Sequence, residues 1–391
     1  MNKKILILSF ILCIITLITC LNFNKEKKKV ILLFNWGEYI DPQVIDSYNN
    51  KVDNKFMIKQ SFFSSNELAI NKIKTGNVYD IAILSEYAIE QLNKDYLQKI
   101  DQSKINLPEK TDLFDKIEAK LTDQKMEMYK EYSIPYFWGN LGILYNTKKI
   151  KIEDLQNNNW KSLVKNNNNN YKIALYNNAF EGMFIGLKAT GGDLSGNSEE
   201  DNQKAKEWLL DLKRHNMNLS FVTDQILDNM KIKDQENYDL VITYSGDARF
   251  LINENPNLKY YDFRNESKDN KGTNIWVDSF VLPKGSNTEG AYDFIRFALE
   301  KENIKKNIKF INYDTPYKID ESPNHLKLSI NEEDKFYKYN EKTKQQINNA
   351  WNEIYSLPRP DDYYLFAISF IILSFLIIMR FYYHFQNKED L

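Results

Sequence analysis

The sequence has almost no cysteine and little histidine. Cys13 and Cys20 both fall in the first twenty residues, so the body of the chain holds no disulfide, no thiol nucleophile and no thiolate metal site. Three histidines, His215, His325 and His384, lie far apart, which removes most zinc chemistry and Ser-His-Asp catalysis. Gly 13 and Pro 9 are few, and there is no Gly-rich phosphate loop, no HExxH pair and no internal repeat. Lys+Arg 52 against Asp+Glu 54 leaves a net charge of -2, without the basic excess that a nucleic-acid partner requires. Neither a cofactor nor a metal is expected.

Aromatic residues are plentiful, with Tyr 25 and Phe 23, and 391 residues leave room for two domains with proper cores. Both ends carry membrane signals. Lys3 and Lys4 precede an apolar run from Ile5 to Ile18, which has the form of a signal peptide. Leu17-Ile18-Thr19-Cys20 resembles a bacterial lipobox, which implies lipidation at Cys20; an uncleaved anchor is the alternative, and the body is exported in both cases. From Tyr363 to Met379 the chain is almost wholly apolar, between Asp361-Asp362 and Arg380, with aromatic belts at both ends. This pattern predicts a short transmembrane helix over residues 363–381, with the C-terminus in the cytoplasm.

Between these ends the pattern alternates. Strand-like runs occur at Val30–Phe34, Phe56–Gln60, Ile81–Leu84, Ile173–Tyr176, Leu219–Val222, Leu240–Tyr244 and Phe280–Pro283. Helical patterns fall at Ala88–Asn93, Glu181–Ala189, Gln203–His215 and Thr288–Glu300, the last capped by Asn287. Strands alternating with helices imply α/β sheets with parallel pairing. The Asn tracts 157–159 and 166–170 read as solvated loops.

Where strands end, rings and acids collect. Val30–Phe34 runs into Asn35-Trp36-Gly37-Glu38-Tyr39; Ile81–Leu84 into Ser85-Glu86-Tyr87; Leu240–Tyr244 into Ser245-Gly246-Asp247; and Ile275 into Trp276-Val277-Asp278-Ser279. Ligands of open α/β sheets sit at the carboxyl ends of strands. Aromatic faces with carboxylates suit an ammonium ligand, through cation–π contact and charge-assisted hydrogen bonds. Trp276 and Asp278, two apart on an extended segment, point to one face. Each cluster also has a plain reading, as a core cap or, for Glu38, a surface acid. Four clusters rich in rings and acids and poor in histidine favour a cation-binding cleft over an active site, so no enzyme is expected.

Five motifs in order carry a resemblance: Asn35-Trp36-Gly37-Glu38-Tyr39, Tyr79-Asp80 leading to Ser85-Glu86-Tyr87, Ser133-Ile134-Pro135-Tyr136-Phe137-Trp138-Gly139, Trp276-Val277-Asp278-Ser279 and Tyr313-Asp314-Thr315-Pro316. Together they resemble the bacterial spermidine/putrescine-binding proteins, extracytoplasmic receptors of polyamine ABC importers, from about Val30 to Leu357. The resemblance implies a type II periplasmic-binding-protein fold of two discontinuous α/β lobes joined by a hinge. Lobe 1 would take residues 30–140 and 276–312, lobe 2 residues 141–275 and 313–357, after a signal peptide with lipobox over 1–20. It implies a polyamine, spermidine or putrescine, as ligand, an ABC permease and its ATPase as partners, and a monomer on the periplasmic face of the inner membrane. Carried over by motif, Trp36, Gly37, Glu38, Tyr39, Ser85 and Tyr87 line one lobe's side of the cleft, and Asn178, Glu181, Tyr244, Trp276, Asp278 and Tyr313 supply the remainder. Tyr244 stands where the family has Trp, and Asn178 where spermidine binders have Asp. A late glutamine of the family has Glu341 or Tyr339 as candidate matches.

Rival readings remain. Tyr260-Tyr261 is the kind of pair that a ferric-ion receptor of similar fold uses, although no histidine or carboxylate is evidently placed to complete it. The C-terminal span would also suit a polyamine sensor, and Glu181 with Asp278 leaves carboxylate-only catalysis open.

Overall fold

A computed structural model describes residues 27–389, apart from 125, 127, 164–170, 193–197, 223–224, 263–271, 320–327, 338–340 and 359. Its strands are β1 (Lys29–Trp36), β2 (Phe56–Phe63), β3 (Ile81–Ser85), β4 (Leu97–Gln98), β5 (Ile134–Asn146), β6 (Ile173–Tyr176), β7 (Leu219–Val222), β8 (Leu240–Tyr244), β9 (Leu258–Tyr261) and β10 (Ile275–Pro283). Their order is β2-β1-β3-β10-β5-β8-β6-β7, with β4 on β10 and β9 on β5.

The seven expected strands form, most of them longer than the apolar runs that announce them. Wholly parallel pairing does not. β1 pairs in parallel with β2 and β3, and β6 with β7 and β8, whereas β10 and β5 run antiparallel to their neighbours. β5 is thirteen residues long and buried throughout, and its two halves serve the two lobes. Its residues up to Asn140 pair with β10, and those from Leu141 to Tyr145 with β8. In the first lobe β10 is the strand that runs against β1, β2 and β3, while β5 shares their direction; in the second lobe β5 runs against β8 and β6.

Each half of the sheet is packed on both faces. Clusters around Leu33, Phe280 and Phe294 on one face, and Phe34, Leu84 and Val281 on the other, enclose the β2-β1-β3-β10 half. Clusters around Ile143, Phe184 and Leu209, and around Val241 and Leu251, enclose the β8-β6-β7 half. The molecule is therefore a two-lobed α/β fold. Between the lobes, Leu141 N–H donates to Asn274 O at 3.0 Å and Ile275 N–H to Lys335 O at 3.0 Å. Three chain crossings thus lie side by side. Tyr317 and Phe336 are both buried in the first lobe, on opposite faces of its sheet, while Trp351 and Ile354, on the helix Glu341–Ser356, pack into the second.

Several local expectations change. Asn157 and Asn158 close a helix from Ile152 and Asn159 opens a 3-10 turn, so that tract is not a loop; residues 166–170 lie outside the described residues. The signal peptide and Cys20 also lie outside them. Asn287 caps its helix as expected, accepting from Gly290 N–H at 3.2 Å.

The expected transmembrane helix over 363–381 is overturned. A helix does run from Pro360 to Glu389, but among the described residues no helix is long and apolar enough to cross a membrane. Between Asp362 and Arg380 the helix carries 17 residues, which at 1.5 Å per residue is about 26 Å, against the roughly 30 Å of a bilayer's hydrocarbon core.

Candidate functional site

Because β10 is antiparallel to β3, its first residues lie beside the last residue of β3. Asp278 stands directly across from Ser85. The Ser85 hydroxyl donates to Asp278 Oδ1 at 2.6 Å and accepts from Asn66 Nδ2 at 2.9 Å. Asp278 is 4% exposed, and burial raises its carboxyl to about 6, against the lowering effect of the Ser85 and Tyr39 hydroxyls. Tyr39 is buried as well; loss of water and then the neighbouring Asp278 charge push its hydroxyl far up. Its ring meets Phe137 edge-on at 6.0 Å and Tyr313 at 6.3 Å.

The second lobe brings an equivalent group. β6 and β8 are parallel strands ending at Tyr176 and Tyr244, and a helix starts just after each. Asn178 is the N-cap of the first, its Oδ1 accepting from Phe180 N–H at 2.8 Å, and Glu181 lies in the first turn. A helix N-terminus with an acid in its first turn is a favourable arrangement in itself. The Tyr244 hydroxyl donates to Glu181 Oε1, while Glu181 Oε2 is buried with no hydrogen-bond partner among the described residues. Burial raises the Glu181 carboxyl to about 7, opposed by the Tyr244 hydrogen bond.

Rings close the space between the two acids. Trp276 meets Tyr313 edge-on at 4.8 Å and Tyr244 at 6.1 Å. Tyr87 stacks on Phe180 of the other lobe at 6.1 Å and meets Tyr337 at 6.4 Å. The glycines are part of this packing. A Cβ on Gly139 would stand 2.7 Å from the Trp276 ring, and one on Gly246 would enter the Tyr313 ring.

Of the expected residues, Tyr39, Ser85, Tyr87, Trp276, Asp278 and Tyr313 are joined to one another and to Tyr244, Glu181 and Asn178 by these contacts. Trp36, half-buried, packs instead on Phe63 at 4.6 Å. Gly37 and Glu38 are exposed, with Glu38 at a φ of 52°. Glu341 and Tyr339 fall on side chains outside the description. Tyr260 and Tyr261, neighbours on β9, go to opposite faces, one packed near Val241 and the other near Ile143, so they do not form a chelating pair. Among the described residues no group of three or more metal-ligating side chains occurs.

The structure adds Tyr176, Phe180, Tyr337, Glu67 and Glu86. Tyr176 donates to Asp247 Oδ2 at 3.0 Å and lies 5.3 Å from the Tyr244 ring. It ends a strand, the same signal that marked the other clusters. Glu86, 1% exposed, accepts from Val277 N–H at 3.0 Å, filling the place of a ladder carbonyl just past the end of β3. Burial raises it to about 8, opposed by that hydrogen bond. Phe180 and Tyr337 belong to contacts between segments remote in sequence, which no local pattern announces.

A profile described as "Bacterial extracellular solute-binding protein" matches residues 43–319. The chain is 25% identical over 297 residues to the spermidine/putrescine-binding periplasmic protein of Salmonella typhimurium, covering 75% of this chain and 79% of that protein. It is likewise 25% identical over 292 residues to a putrescine/agmatine-binding protein of Pseudomonas aeruginosa, covering 72% and 76%. Among solved structures, the spermidine/putrescine ABC transporter substrate-binding protein PotD from Streptococcus pneumoniae is 28% identical with a TM-score of 0.65, covering 84% of this chain and 98% of that one. A putative spermidine/putrescine ABC transporter protein from Listeria monocytogenes gives 28% and 0.66, covering 84% and 99%.

Proposed function

Since the chain belongs to the bacterial extracellular solute-binding proteins, we propose that it is the extracytoplasmic receptor of an ABC importer and that its solute is a polyamine. The observation that carries this reading is the pair of buried carboxylates, Asp278 on one lobe and Glu181 on the other. Among the described residues the side-chain donors to each are tyrosine or serine hydroxyls, and no basic side chain is among the groups that set either pKa. Two desolvated acids with no cation beside them among the described residues are suited to the two ends of a chain that carries its own ammonium groups. Trp276, Tyr244 and Tyr313 between them offer flat faces for methylenes and for cation–π contact.

Binding in this reading proceeds by matching charge and then enclosing it. An ammonium at Asp278 meets a carboxylate held in orientation by Ser85, which is fixed in turn by Asn66. The other lobe brings Glu181 with Tyr244, and closure removes water from both ends, which strengthens the ion pairs. The hydroxyl donors leave each carboxylate with acceptor capacity for the ligand. Tyr39, Ser85, Tyr87, Asn178, Glu181, Tyr244, Trp276, Asp278 and Tyr313 form the ligand contacts in this proposal, with Trp36, Gly37 and Glu38 at its rim. A permease with its ATPase is the partner that accepts the solute, and lipid at Cys20 is the proposed tether. Radiolabelled palmitate should enter the wild-type chain and not Cys20→Ala.

Titration calorimetry of the purified chain with putrescine, cadaverine, spermidine and spermine tests the reading. Saturable one-to-one binding of at least one of them, competed by the others, is expected. Heat no greater than dilution for all four would remove it.

A further inference from the structure

Resting on the polyamine reading, the inference starts from the missing acid at position 178. Asn178 cannot replace that acid electrostatically, and its side-chain oxygen is already engaged by Phe180 N–H at 2.8 Å. The ligand end at Glu181 would then meet a single negative charge from its own lobe. Across the cleft, however, the helix Asn66–Lys74 of the first lobe begins with Glu67. The Tyr87 hydroxyl donates to Glu67 Oε1 at 3.3 Å, and the Tyr87 ring stacks on Phe180, the residue before Glu181. Glu181 Oε2 is buried there with no hydrogen-bond partner among the described residues. The Glu67 charge is close enough to contribute to the raised pKa of Glu181, after burial, and of Tyr87, where it comes directly after burial.

We propose that Glu67 is the second carboxylate for the ammonium group held at Glu181, supplied across the cleft in place of the acid missing at position 178. Its origin on the opposite lobe changes what the charge does. Two acids on one lobe attract a cation whether the lobes are open or closed. Glu67 and Glu181 approach each other only on closure, where they repel unless a cation lies between them. The pair therefore ties closure to the presence of charge at that end, and favours a ligand long enough to reach it from Asp278.

The test uses the full chain with Glu67→Gln, Asn178→Asp and the double variant, titrated with spermidine and putrescine at low salt and pH 8. Glu67→Gln should weaken spermidine about tenfold, as expected when one charged partner becomes neutral, and putrescine less. Asn178→Asp in the Glu67→Gln background should bring spermidine back to within about threefold of wild type, because the charge is restored from the other lobe. Tyr87→Phe, which keeps the ring and removes the bond to Glu67, should cost less than Glu67→Gln. Unchanged spermidine affinity in Glu67→Gln overturns the inference, and so does a loss that Tyr87→Phe reproduces and Asn178→Asp does not repair. A wild-type chain that binds neither amine overturns the polyamine reading itself, which is a different result from a wild type that binds and a Glu67→Gln variant that binds equally well.

Discussion

Asp278 is buried and charged at the expense of the empty protein's stability. Replacing it by Asn keeps an acceptor for Ser85 and removes the desolvated charge. Asp278→Asn should therefore melt at a higher temperature than wild type at pH 8 without ligand, yet bind polyamine more weakly by about 2 to 5 kcal/mol, the cost of unpairing one member of a buried ion pair. Calorimetric titration and a thermal melt of the same sample check both signs. Protonation does reversibly what that substitution does permanently. Asp278, Glu181 and Glu86 titrate at about 6, 7 and 8, above ordinary carboxylates because burial disfavours their charge. Raised folded-state values mean that the native chain takes up these protons before the unfolded chain does. Their contribution to stability accordingly rises as pH falls from about 8 towards the ordinary carboxylate range. An ammonium ligand favours the charged forms, so affinity falls over the same interval and binding near pH 6.5 releases protons. Titrations in two buffers of different ionisation enthalpy should show that release, shrinking towards pH 9; proton uptake on binding would contradict the assignment.

At the scale of elements, β5 and β10 decide where the side chains meet. Gly139 of β5 stands across from Trp276 of β10, and a methyl group there would lie 2.7 Å from the Trp276 ring and 2.8 Å from Ser245 Oγ. The ring has no room to yield without leaving Tyr313 and Tyr244. Gly139→Ala should destabilise the fold by about 1 to 3 kcal/mol, as overpacking does, and weaken polyamine binding more than it weakens folding. Tryptophan fluorescence and titration read the two effects separately. Gly182 has the same kind of restriction, with Trp351 in the place a Cβ would take. Gly182→Ala should loosen the helix Glu341–Ser356 from the second lobe, seen as faster amide exchange in that helix, while Asp278 and its partners on the first lobe stay protected.

The whole molecule is two separately cored lobes joined by three adjacent crossings, with a buried ion pair beside them. Arg249, on the helix after β8, pairs with Asp314 and donates to Asn312 O at 2.8 Å. Such a joint can bend while each lobe stays packed, since neither core depends on the other. With the ligand's ends held by different lobes, solution scattering should give a smaller radius of gyration with spermidine than without it. An unchanged radius despite confirmed binding would mean that one lobe holds the ligand alone.

The sequence by itself marked seven strands, though not β4, β5 or β9, because apolar runs bounded by polar residues have one stable use in a mixed chain; it marked Trp36–Tyr39, Ser85–Tyr87 and Tyr244 because strand ends are local features, whereas Trp276–Asp278, read as following a strand, open β10. It also determined the chemistry of the cleft, since rings and acids without histidine or cysteine leave few reactions open. What it could not determine was set by contacts between distant segments. The antiparallel pairing of β10 with β3 and β5, and of β5 with β8, joins segments far apart in sequence, which periodicity within one strand does not encode. The apolar run near the C-terminus reads as a span by composition, whereas among the described residues no helix is long and apolar enough to be one. Glu67 and Glu181 are 114 positions apart by subtraction of their numbers, on helices of different lobes, and only the folded chain brings their charges together.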